Sequence, residues 1–65
     1  MDSPIVITCK GKSTMTVINE IKTLNEPKDK LIQINYWNGN VSAVTIKQAL
    51  KELNGLLSDE KAMEY

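Results

Sequence analysis

Histidine and arginine are missing from this chain, and cysteine occurs once, at Cys9. Each absence closes a class of function or a route to stability. A structural zinc site takes about four Cys or His ligands, so no such site fits. One cysteine cannot form a disulfide within the chain. An activated thiol needs a base, usually histidine, or a strongly positive pocket. Lys10 and Lys12 follow Cys9 closely, but they only close a short apolar run, so Cys9 reads as a structural thiol. Without arginine the chain lacks the side chain that most often reads guanine edges and clamps phosphates.

No apolar stretch approaches the roughly 20 residues that span a bilayer. Ile5-Val6-Ile7 is too short, and too poorly flanked by basic residues, for a signal peptide. The expectation is a cytoplasmic protein, which suits a lone free cysteine. In that setting Asn40-Val41-Ser42 is a chance glycosylation sequon.

Sixty-five residues predict a single domain spanning 1–65, with 58–65 as a tail that either frays or adds a helical turn. A domain of roughly 60 residues buries only about 60% of its unfolded surface. With no disulfide or zinc available, good packing or self-association must supply the rest, which points to a homodimer. Lysine and the acidic residues balance at eight each. Neither a nucleic-acid binder nor a DNA mimic is expected to be so neutral.

The strongest local pattern is Leu31-Ile-Gln-Ile-Asn-Tyr-Trp37, Asn38-Gly39, Asn40-Val-Ser-Ala-Val-Thr45. Asn-Gly between two β-rich runs predicts a two-residue type I′ hairpin. That turn sets Trp37 opposite Asn40, Tyr36 opposite Val41, Ile34 opposite Ala43 and Ile32 opposite Thr45. By alternation, Ile32, Ile34, Tyr36, Val41 and Ala43 form the core face. Gln33, Asn35, Trp37, Asn40, Ser42 and Val44 form the open face.

Ile5–Cys9 reads as a strand closed by Lys10-Gly11-Lys12. Residues 13–18 are ambiguous. Their β-branching favours a strand, while Ser13, Thr14 and Thr16 are all plausible helix caps. A strand near 13–16 leading to a helix over 17–25 reconciles the two, with Pro27 ending it. Thr45-x-x-Gln48 has the form of a capping box. Ile46, Ala49, Leu50 and Leu53 follow at helical spacing, and Asn54-Gly55 predicts the helix end.

The two halves share a faint repeat, aligning Thr16-Val17 with Thr45-Ile46 and Leu24-Asn25 with Leu53-Asn54. It suggests two hairpin–helix units. The predicted fold is therefore α+β: a small antiparallel sheet of three to four strands packed by two helices, in the order β(β)α-ββα. A β-α-β-β-α order, with 13–16 helical, is the alternative.

Gly11-Lys12-Ser13 ends like a phosphate-binding loop, but that motif needs a glycine at position 6, which is Val. The carboxylates form no spaced pair inside an apolar run, as general acid–base catalysis would need. The expectation is a non-enzymatic protein with no cofactor and no metal. Its predicted role is a protein-interaction module, an adaptor or inhibitor of a larger protein, with Trp37, Val44, Asn35 and Asn40 as contact residues. A lysine-, isoleucine- and asparagine-rich chain without arginine suits a low-GC bacterium or its phage. Two other roles remain open: a nucleic-acid accessory protein using Lys10, Lys12, Lys28 and Lys30, and a purely structural homo-oligomeric subunit.

Overall fold

Ser13 decides the topology. In the computed structural model, which describes residues 5–62, its side chain accepts a hydrogen bond from the Thr16 backbone N–H at 3.1 Å. Its own backbone is extended, as an N-cap requires. Helix α1 (Thr14–Lys22) starts directly behind it. The predicted strand over 13–16 is therefore absent. Cap satisfaction and the burial of Val17, Ile18 and Ile21 along one helix face outweigh the modest β preference of Thr and Val. The helix also ends before residue 25: Thr23 caps it, and Asn25 takes a left-handed φ of 57°, which asparagine tolerates well.

With α1 in that place the chain runs β1 (Ile5–Thr8), α1, β2 (Leu31–Asn35), β3 (Val41–Thr45) and α2 (Ile46–Ala62). The α+β class stands, with the order β-α-β-β-α. A helical crossover lets two strands lie parallel, and β1 pairs parallel with β2, Ile5 beside Ile32 and Ile7 beside Ile34. β2 pairs antiparallel with β3. The sheet is thus mixed and three-stranded, in the order β1-β2-β3. The first half is a strand and a helix, so the predicted pair of hairpin–helix units does not form.

The hairpin does turn at Asn38-Gly39, but in a different register. Tyr36 N–H donates to the Asn40 carbonyl at 2.7 Å, and Gly39 N–H donates to the Tyr36 carbonyl at 3.0 Å. Three residues, Trp37, Asn38 and Gly39, therefore span the turn. Gly39 has φ +90°, whereas Asn38 is not in the positive-φ region. This is the three-residue connection in which a tight turn precedes a left-handed glycine, not a type I′ turn. Asn38 instead uses its side-chain oxygen to accept from the Asn40 N–H at 3.0 Å.

The longer turn slips β3 by one residue, and a one-residue slip exchanges a strand's two faces. Ile32 now pairs with Val44, Gln33 with Ala43, Ile34 with Ser42 and Asn35 with Val41. Val44 accordingly lies inward against the core. Val41 and Ala43, predicted inward, are exposed. Ile32 and Ile34 are inward as predicted, because β2 keeps its parity.

Both helices cover this one face. Ile7, Cys9, Ile32 and Ile34 pack with Val17, Ile18 and Ile21 of α1 and with Ile46, Ala49, Leu50 and Leu53 of α2. Truncating a fully buried member such as Leu53 to Ala would cost about 2–5 kcal/mol. At the start of α2, Thr45 Oγ1 accepts from the Gln48 N–H at 3.2 Å. Ile46 and Lys47 donate their N–H groups to the carbonyls of Lys30 and Lys28, each at 3.0 Å. The 27–30 connector thus satisfies donors that a helix start leaves open.

The predicted stop at Asn54-Gly55 does not occur, and α2 continues to Ala62. Leu57 packs against the core, and Glu60 reaches α1 through a hydrogen bond with Thr14. Those contacts offset a helical glycine, which costs about 1 kcal/mol relative to alanine. Of the predicted tail, 58–62 is helical, and the remainder lies outside the described residues. Among the described residues, no helix is long and apolar enough to cross a membrane.

Candidate protein-interaction site

The hairpin turn carries Trp37 to the end of the sheet where β1 gives way to α1. There the indole Nε1–H donates to the Lys12 carbonyl at 2.7 Å. With the one polar atom of its side chain satisfied, Trp37 still keeps 37% of its surface exposed. The other large apolar side chain here is Leu56, on the part of α2 beyond Gly55 and also exposed.

Trp37 and Leu56 together line two shallow hollows. One, of about 270 Å³, is completed by Lys12, Ser13, Thr14 and Glu60. The other, of about 350 Å³, is completed by Tyr36, Asn38 and Asn40. An aromatic and an aliphatic side chain thus form an apolar strip with polar groups on both sides. That is the usual layout of a binding hot spot.

The surrounding polar groups are largely paired. Thr14 Oγ1 donates to Glu60 Oε2 at 2.7 Å, tying α2 to the first turn of α1. Lys12 Nζ donates to Glu20 Oε1 at 2.9 Å, an exposed ion pair worth at most about 1 kcal/mol. Tyr36 turns toward α2, and its hydroxyl donates to Glu52 Oε2 at 3.1 Å. Burial pushes the Tyr36 hydroxyl up to about 12, helped by its hydrogen bond and charge contact with Glu52 and, less, by Cys9.

Cys9 is buried beneath this end of the sheet, and its backbone N–H donates to the Asn35 carbonyl at 2.9 Å. Burial pushes its thiol up; Lys12 opposes that shift and Glu20 adds to it. The thiol is therefore held protonated at neutral pH, the reverse of what an activated nucleophile needs.

Of the predicted contact residues, Trp37 and Asn40 come together at the turn. Asn35 lies on the open face of the sheet, where its Oδ1 accepts from Gln33 Nε2 at 3.2 Å. Val44 belongs to the core face, for the register reason above. Leu56, Thr14 and Glu60 were not predicted as site residues. The signal for Leu56 and Glu60 was the helical spacing of Leu53, Leu56, Leu57 and Glu60, legible only if the helix is carried through Gly55.

The four lysines suggested for nucleic acid do not converge. Lys10 and Lys12 follow β1, while Lys28 and Lys30 precede β2. Because β1 and β2 are parallel, these pairs lie at opposite ends of the sheet. Comparison with protein-family models, with curated proteins and with solved structures returns no match.

Proposed function

We propose that this chain is a protein-interaction module that acts by binding rather than by catalysis, as an adaptor for or inhibitor of a larger protein. The observation that carries this reading is the strip formed by Trp37 and Leu56. The indole N–H is already bonded to Lys12, so a partner can cover the ring without stranding a donor. Burying a tryptophan face and a leucine removes apolar surface from water at about 25 cal/mol per Å², and tryptophan is the side chain most enriched in hot spots. The hollows on either side offer seats for one or two apolar side chains of a partner segment. The protonated, buried thiol of Cys9 fits a reducing, cytoplasmic setting and adds no nucleophile.

The test is a selection of random displayed peptides on the immobilised full chain, followed by titration of the enriched peptides. This reading expects peptides with apolar anchors whose binding perturbs Trp37 fluorescence and persists at high salt. A chain that enriches no peptide, yet binds mixed DNA or RNA at low salt and releases it as salt rises, would be a nucleic-acid accessory protein instead.

A further inference from the structure

Among the described residues, nothing covers the face of the sheet turned away from the helices. Leu31 keeps 62% of its surface exposed, Val41 60% and Val6 48%. Val6, Gln33 and Ala43 form a row across the three strands, and Asn35 pairs with Val41 in the next. Among the described residues of this face none is ionisable, although a quarter of the chain is charged.

We propose that a second copy of this chain packs on the open sheet face, sheet against sheet, about a two-fold axis. Charge and hydrogen bonding select this occupant. A two-fold brings each patch onto itself, so a charge near the axis would meet its own copy, and among the described residues the face carries none. At its centre Gln33 Nε2 already donates to Asn35 Oδ1, leaving the carbonyl and second N–H of the Gln33 amide and both N–H groups of the Asn35 amide to be satisfied. A purely apolar partner would bury these groups unpaired, at about 1–3 kcal/mol each. An identical face supplies matching donors and acceptors.

The face measures on the order of 10 by 16 Å from standard strand spacing, smaller than the roughly 800 Å² per partner of a tight complex. The dimer is therefore weak and concentration-dependent. It uses a surface separate from the Trp37–Leu56 strip, so each dimer carries two such strips, and neither reading depends on the other.

Sedimentation equilibrium of the full chain tests this. The wild type should be monomeric at low micromolar concentration and substantially dimeric by about 1 mM, the range of a small interface. Gln33 sits at the middle of the central strand, close to any two-fold axis through the face. Gln33→Lys and Gln33→Glu should each remain monomeric, with wild-type circular dichroism, and an equal mixture of the two should regain association. If Gln33→Lys fails to fold, Val41→Lys on the edge strand takes its place, since lysine is well tolerated at sheet edges. Trp37→Ala should leave the dimer intact. A wild type still monomeric at about 1 mM overturns the proposal. So do charged variants that dimerise like the wild type, a mixture that does not recover, or loss of the dimer in Trp37→Ala.

Discussion

Trp37 and Lys12, twenty-five residues apart, are joined by a 2.7 Å hydrogen bond from the indole N–H to the lysine carbonyl. The bond ties the tip of the β2–β3 hairpin to the loop between β1 and α1. It fixes an exposed aromatic in one place, and it makes the turn part of the tertiary structure. Trp37→Phe should keep most of the packing and lose the bond, at a cost of about 0.5–1.5 kcal/mol. Trp37→Ala should cost somewhat more, about 1–2 kcal/mol, because the ring is only partly buried. Both variants should still fold. Thermal denaturation checks this; an unfolded Trp37→Ala would make Trp37 a core residue and remove it as a contact.

Two glycines should respond in opposite directions. Gly39 has φ +90°, a conformation that a β-branched residue resists. Gly39→Val should destabilise by about 1–3 kcal/mol. Gly55 is helical, and among the described residues no atom beyond its own helical turns and chain neighbours lies within 4 Å of a Cβ added there. Gly55→Ala should stabilise by about 0.5–1 kcal/mol. For a domain this size each kcal/mol moves Tm by about 4–8 °C. An unchanged Tm for Gly39→Val would contradict the turn, and a lowered Tm for Gly55→Ala would contradict the continuous helix.

Thr14 and Glu60 join the first turn of α1 to the last turns of α2 at 2.7 Å. Removing the acceptor in Glu60→Ala should loosen α2 beyond Gly55 without touching the core. Amide hydrogen exchange should quicken at Leu56 and Leu57 while Ala49, Leu50 and Leu53 stay protected. Uniform exchange across α2 in the variant would show that Leu57 packing alone holds the segment.

Tyr36 gives a pH dependence with a definite sign. Its hydroxyl ionises at about 10.0 when unperturbed and is pushed up to about 12 in the fold. Between those values the folded state holds a proton that the unfolded chain has lost. The contribution of Tyr36 to stability is therefore at its full value below about pH 10 and is lost as pH rises toward about 12. Tyr36→Phe should flatten that decline. An equally steep decline in the variant would assign the effect to other groups.

Much of the fold was legible because independent signals agreed. Ile32 and Ile34 are core residues in either hairpin register, and Ile46, Ala49, Leu50 and Leu53 follow an unbroken helical period. Residues 13–18 were not legible, because propensity and capping pulled apart, and the burial of Val17, Ile18 and Ile21 tips the balance toward the Ser13-capped helix. β3 was not legible either. Val-Ser-Ala-Val-Thr presents a small or apolar residue on each face, so the turn alone sets its parity, and Asn-Gly serves both a two-residue and a three-residue turn. That one choice moved Val44 out of the contact set. Leu56 was hidden behind Gly55, where a stop signal gave way to tertiary contacts.

The most direct test of the binding role is the affinity of an enriched peptide for the wild type and for Leu56→Lys. Leu56 is exposed, so the variant should keep the wild-type circular dichroism and melting behaviour. A hot-spot leucine should cost at least about 1.4 kcal/mol, a tenfold or greater rise in Kd. Equal affinity in a folded Leu56→Lys variant would show that the strip beside Trp37 is not where this protein binds.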